Sequence, residues 1–216
     1  MADTKTVRPG TKNRKRGQER RKRILSTARA LLADTDPDQL SLADIAERSD
    51  IPVSSLYHFY RDVSQVYTDI VSQFHEELLE DLMADFEHER FVAWQALISW
   101  LIQRTAAFYQ AHPAFEVLIL SGKAPARIKQ TDRELDSQLG QALTELFQQH
   151  FDLPDIKGLD QIVYNAVEIV DLFFSLALRR NQTLTPDAIE EARRAAIAYL
   201  RNYFPEFLNT RGTHAT

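Results

Sequence analysis

Apolar residues recur at intervals of three and four along most of this chain, the spacing of one helix face, so the pattern predicts an all-α fold. From Gln18 to Ala33 the face is Ile24, Leu25, Ala28, Leu31 and Leu32, with Arg20, Arg21, Lys22 and Arg23 on the other side. The loop DTDPDQ, with Pro37 and three Asp, ends that helix. Two short apolar sets follow: Leu42, Ile45 and Ala46, then Ile51, Leu56 and Phe59. The turn Ser49-Asp50 parts them, which is the outline of a helix-turn-helix. Ser41 has the side chain to cap the first of these helices, and Asp44 meets its positive start. Pro52 suits the opening of the second. Val53, Ser54, Ser55, Tyr57 and His58 then fall on the second helix's N-terminal and outward side, as groups apt for phosphates and base edges.

The rest of the chain reads as a longer helical body. A helix from Val63 to about Phe86 carries Val66, Ile70, Phe74, Leu78, Leu82 and Met83, and Phe91 to Gln110 is apolar and aromatic. Pro113 opens a short helix ending at Ser121-Gly122, and Arg127 to His150 turns from charged to apolar along its length. Leu159 to Arg180 is apolar around too much of its circumference for a helix with one wet side. Pro186 to Phe204, capped by Thr185, carries small residues that permit close approach. Together these last two helices predict an isologous dimer through Ala166, Val170, Phe173, Ala192, Ala196 and Leu200; the alternative is a wholly intramolecular core.

The segment LSLADIA, the tight turn and Ser54-Ser55-Leu56-Tyr57-His58-Phe59-Tyr60 resemble the TetR family of transcriptional regulators over residues 20 to 62. Two positions depart from the family pattern. Asp50 stands where a turn glycine is usual, and Val63 where a lysine commonly opens the fourth helix, leaving Arg61 as the substitute phosphate contact. Asp enters the left-handed region more readily than most side chains, so the turn survives the first change. The resemblance implies a three-helix head, a joining helix and a helical effector-binding and dimerisation body. It also implies a repressor acting as a homodimer on a near-palindromic double-stranded DNA operator, released by a small-molecule effector.

Charge sharpens that picture. Residues 1–24 hold ten Lys or Arg against two acids, +8, which leaves −13 on the remainder of a chain whose total is −5. A basic end and an acidic body orient approach to a polyanion. Residues 1–17 combine Gly, Pro, Thr and bases without apolar periodicity, so a disordered basic arm is expected, with Lys15 and Arg16 reaching DNA. The domains expected are this arm, a head over 18–64 and a body over 65–210.

Other chemistry finds little support. No phosphate loop, nucleophile elbow, zinc-helix or dinucleotide motif occurs, so neither an enzyme nor a cofactor is expected. The 216 residues include no cysteine. None of the six His pairs with another at i+3 or i+4, so no metal site is expected, and His75 beside Glu76 reads as a solvated face. No uninterrupted apolar run reaches membrane length and the basic N-terminus is unlike a secretory leader, so the expected location is cytoplasmic. An aromatic pocket is the expected effector site, with Trp94, Trp100, Phe108, Tyr109, His112, Phe115, Tyr164 and Glu168 lining it. Glu168 belongs to the series Asn165, Glu168, Asp171 along one side of its helix, where an inward carboxylate would hold a cation or a hydrogen-bond donor, so flat aromatic or cationic compounds are the expected ligands. Two competitors remain: a helical small-molecule carrier or enzyme with a vestigial helix-turn-helix, and an architectural DNA binder without an effector.

Overall fold

In the computed structural model, which describes residues 9–84, 86 and 91–211, the first helix starts earlier than the apolar pattern predicts. This helix, α1, runs Pro9–Leu32. The expectation of a disordered arm is therefore corrected for residues 9–17, while residues 1–8 lie outside the described residues. Periodicity misses this start because a helix turn without a buried face leaves no apolar signal, although Lys and Arg are good helix formers and Pro suits a first position. Ile24, Leu25, Ala28 and Leu32 are buried along its later turns.

α2 (Leu42–Ser49) opens on the reciprocal cap that its sequence predicts. Ser41 Oγ accepts from the Asp44 amide at 3.3 Å, and the Ser41 amide donates to Asp44 Oδ2 at 2.8 Å. The Ser41 hydroxyl also donates to Asp44 Oδ2 at 2.5 Å, and this bond, with the one from the Ser41 amide, holds the Asp44 pKa below its ordinary value. Asp50 ends the helix at φ 53° and ψ 44°, in the left-handed region, and the Ile51 amide reaches back to the Ala46 carbonyl at 3.1 Å. That geometry makes opposite predictions for two substitutions. Asp50→Gly removes the Cβ penalty and should raise the thermal midpoint by about 1–3 °C, whereas β-branched Asp50→Val should lower it by more. The Asp50 side chain is 97% exposed and 4.0 Å from Arg23, so neither change forfeits a useful ion pair. Calorimetry that moves both variants the same way refutes the account.

α3 (Val53–Leu56) is only one regular turn, continued by turn hydrogen bonds through Tyr60. α4 (Val63–Ala84) leaves the head and enters the body. The body adds α5 (Trp94–Ala111), α6 (Pro113–Ile119), α7 (Ala126–His150), α8 (Leu159–Asn181) and α9 (Pro186–Leu200). Nine helices and no strand occur among the described residues, so the fold is all-α as predicted. α8 packs between α7 and α9, α4 lies on α7, and α5 closes against α9. Gly140 sets the approach of α7 to α8, since a Cβ there would sit 3.2 Å from the Tyr164 Cα. By length and composition α8 is apolar enough to cross a membrane; here it packs against two neighbouring helices.

The head is fastened to the body through α4 and α6. Tyr60 Oη and Arg21 Nη2 both donate to Asp69 Oδ2, each at 2.6 Å. Arg29 donates twice to the Glu77 carboxylate at 2.8 and 2.9 Å, with its guanidinium 4.0 Å from the centre of the Phe74 ring. Tyr67 Oη donates to the Pro37 carbonyl at 2.8 Å, and Lys123 pairs with Asp36 at 2.6 Å. Any tilt of α4 is thus shared with α1.

Candidate nucleic-acid interface and ligand cavity

The outer side of the head is formed by the residues that α3 cannot bury. Leu56 is fully buried and Tyr60 nearly so, which fixes the rotation of the turn and leaves Val53 at 42% and Tyr57 at 58% exposure. Ser54 and His58 are exposed beside them, and Ser55 is half-buried. Ser41, at the start of α2, is exposed, as are Arg61 after the turn and Lys15 and Arg16 on the first turns of α1. The Arg61 amide donates to Gln65 Oε1 at 2.8 Å, so α4 begins with a side-chain cap where the family pattern has lysine nearby.

The predicted dimer residues are placed differently. Ala166, Val170, Ala192, Ala196 and Leu200 are all 8% exposed or less within one chain, so packing inside the chain already covers them and leaves little surface to offer a second copy. This corrects five of the six interface assignments. Part of the apolar excess of α8 is consumed by two neighbours in its own chain, α7 and α9, and the small residues bring α8 and α9 together, while Leu172 stays 52% exposed and Ile169, Phe173 and Leu176 half-buried. Phe173 alone of the six is half-buried on the outer side, where it lines a groove with Leu176, Ala188 and Glu191. Nearby, Asn165 Nδ2 donates to Tyr199 Oη at 2.9 Å and ties the outer faces of α8 and α9.

A second correction concerns the aromatic pocket. Trp94 is fully buried and donates to the Pro205 carbonyl at 2.9 Å. Phe115 stacks on Phe74 at 4.7 Å and on Tyr109 at 5.0 Å, while Phe108 and His112 lie 4.1 Å apart, joined by the His112 Nδ1 bond to the Phe108 carbonyl. These rings fill the junction of α4, α5 and α6. Tyr164 donates to Glu168 on the outer side of α8. Of the residues expected at the pocket, Tyr109 alone lines the apolar cavity that the body does contain.

That cavity, about 60 Å³, has space for a few water molecules and lies between α4, α5, α7, α8 and α9. Most of its wall is aliphatic, including Leu78, Leu101, Ile102, Leu143, Val167 and Leu200. One end is polar: His75, Tyr109, Asp136 and Asp171 face it, and no lysine or arginine does among the described residues. His75 Nε2 is 3.0 Å from Asp132 Oδ1 and 4.0 Å from Asp136 Oδ1. One atom from each of these three lies within 4.8 Å of the others, a spacing that a divalent cation can bridge. His75 is 8% exposed, which corrects its reading as a solvated residue; Glu76, one position on, is the exposed one.

Electrostatics at this end are unfavourable. Burial, then Asp171, Asp132 and Glu168, push the Asp136 carboxyl up to about 10. Desolvation raises the Asp171 carboxyl well above its ordinary value, with Asp132 and Glu168 adding to it and a 3.5 Å bond from Tyr109 Oη opposing it. Burial likewise raises the Tyr109 phenol. A sequence signal for this cluster existed. Ile128, Asp132, Asp136, Gly140 and Thr144 step by four along α7, so two acids interrupt a row that is otherwise inward.

An exposed helix-turn-helix joined by one helix to a larger helical body defines the class of helix-turn-helix DNA-binding regulators. Comparison agrees: residues 24–65 match the family model described as bacterial regulatory proteins, tetR family, and residues 92–204 match the tetracyclin repressor-like C-terminal domain. The chain belongs to the TetR family of transcriptional regulators. Its fold is similar to that of a TetR-family regulator from Streptomyces coelicolor, with TM-score 0.66, 24% identity, and 85% of this chain and 99% of that chain covered. A TetR regulator from Haloarcula marismortui superposes with TM-score 0.65 at 14% identity, covering 87% and 100%. A Saccharomonospora viridis protein assigned as a transcriptional regulator and solved in complex with choline gives 0.58 at 11%, covering 87% and 98%. No match was found among curated proteins.

Proposed function

We propose that this protein is a homodimeric repressor whose two heads occupy successive major grooves of a near-palindromic operator, and that a small molecule in the body cavity releases it. The observation that carries the reading is the double duty of α4. One stretch of it holds the head through Asp69, Phe74 and Glu77, while His75, Leu78 and Leu82 wall the cavity. A ligand that spreads the cavity therefore moves the helix on which the head is mounted, provided that it binds one α4 position better than the other. Ser54 and His58 read base edges, while Tyr57, Ser41, Arg61, Lys15 and Arg16 contact phosphate; Val53 and Ser55 complete the surface. The head spans 18–64 and the body 65–210, and the protein acts in the cytoplasm.

Fluorescence anisotropy with duplexes from the DNA flanking the coding region, at several salt concentrations, tests this. Binding should weaken linearly in log salt and exceed that to scrambled duplex by about a thousandfold or more. Tyr57→Ala should weaken operator and scrambled DNA alike, by about ten- to a hundredfold, as loss of a backbone contact does. His58→Ala should instead narrow the gap between them. Absence of salt-dependent binding to any duplex would leave a helical ligand carrier, and equal binding to all duplexes an architectural protein.

A further inference from the structure

The polar end of the cavity has more acid than its surroundings neutralise. Asp136 is 4% exposed, accepts no hydrogen bond among the described residues, and faces the cavity. Asp171 faces the same space from α8, and among the described residues only Tyr109 donates to it, over 3.5 Å. His75 is the one basic side chain on the cavity wall among the described residues, and its Nε2 is shared with Asp132 at 3.0 Å. A buried carboxyl without a donor is costly, and the cost is relieved by protonation or by a cation. Asp136 and Asp171 also border a surface groove with Lys129, Arg133 and Arg179, so solvent reaches the far side of the same two acids. The rest of the cavity is an aliphatic slot walled by α4, α5, α7, α8 and α9.

We propose that the cavity takes an amphiphilic organic cation, a protonated alkylamine or an alkylammonium compound. The charged head seats between Asp136 and Asp171, and the alkyl tail lies along Leu78, Leu101, Ile102 and Val167. This names the ligand class of the effector site and so rests on the reading of the cavity given above. Each half of the site excludes a competitor. A fatty acid or other anion would meet two carboxyls that repel it when ionised and, when protonated, offer it no cation to pair with, since no lysine or arginine lines the cavity among the described residues. A neutral hydrocarbon leaves Asp136 without a partner. A bare divalent ion bridging His75, Asp132 and Asp136 neutralises the acids and leaves the aliphatic slot unfilled. The amphiphile satisfies both ends, and the Tyr109 ring on the cavity wall offers a cation a further favourable contact. The slot is narrow when empty, so the tail must part α4 from α7 and α8 to enter, which is the movement that the regulatory reading requires.

The experiment compares octylamine, octanol and octanoate on the full-length protein, by calorimetric titration and thermal shift, beside zinc and manganese ions alone. Octylamine should bind at least about tenfold more tightly than octanol, the contribution of one charge-assisted hydrogen bond, and octanoate more weakly still. In an Asp136→Asn, Asp171→Asn double variant the preference for amine over alcohol should vanish. Equal binding of octylamine and octanol overturns the proposal, as does a response to the metal ions without one to the amine. Persistence of the amine preference in the double variant also overturns it. The ligand series on the unmodified protein stands even if that variant does not fold. Anisotropy with bound operator separates the two readings. Octylamine that binds with the stated preference but leaves the DNA complex intact supports the site and refutes ligand release. Release by another compound, with no octylamine binding, refutes the cation site and keeps the repressor.

Discussion

Phe173→Asp is expected to yield a folded monomer that has lost operator affinity by more than about a hundredfold. Phe173 is half-buried on the outer side of α8, in a groove with Leu176 and Ala188, and nothing in its own chain finishes covering it among the described residues. A carboxylate there is tolerated by a solvated monomer and excluded from an apolar contact with a second copy. A lone head keeps half of the contacts and loses the effective concentration that the first half-site gives the second, a factor of about 10² to 10⁴. Ala196→Asp serves as the opposite case. Ala196 is 1% exposed against the cavity, so a charge there should lower the thermal midpoint sharply. Light scattering gives the mass and calorimetry the midpoint. A dimeric Phe173→Asp protein would move the interface off this groove, and a stable monomeric Ala196→Asp protein would restore the assignment that the fold displaced.

The contrast between these two residues shows what spacing along the chain can and cannot carry. Interactions within one turn are legible: the Ser41–Asp44 cap, the turn at Asp50 and the Thr185 cap each depend on residues three or four apart, and each is present. The rotation of α3 is legible too, because Leu56 has one apolar place to go. Across the body the same reasoning loses its hold. The girdle of apolar residues on α8 says that a second face is covered, and is silent on whether α7 or a second chain covers it. Phe74, Phe108, Phe115 and His112 have the helical spacing of a pocket and of a core alike, and they form core. His75 reads with Glu76 because they adjoin, yet neighbours on a helix point about 100° apart. Its actual partner, Asp132, is 57 positions away.

Replacing Asp136 with asparagine tests the charge of the cavity directly, and its largest effect should be on how stability varies with pH. The folded-state pKa of Asp136 is raised, to about 10, over an ordinary carboxyl near pH 4 in the unfolded chain. Below about pH 4 both states hold the proton and the group adds no pH dependence. Above it the unfolded chain releases the proton while the folded chain retains it, so stability falls as pH rises toward the folded value. The limiting slope for one such group is about 1.4 kcal/mol per pH unit, or roughly 3–5 °C in the midpoint of a protein of this size. An amide side chain has nothing to release, so the midpoint of the Asp136→Asn variant should exceed that of the parent by an amount that grows between about pH 5 and 9. His75 on α4, Tyr109 on α5, Asp132 on α7 and Glu168 and Asp171 on α8 face the same region, as do Lys129, Arg133 and Arg179 across the groove. All are common to both proteins, so the difference between the two curves reports Asp136 together with its interactions with these neighbours. Parallel curves would mean that Asp136 is already ionised and compensated in the folded protein, and that its burial carries no penalty. Diverging curves would mean that the empty body tolerates a standing destabilisation at the wall of its cavity. A bound cation would then relieve that destabilisation, and the energy so released is available to shift the helix that holds the reading head.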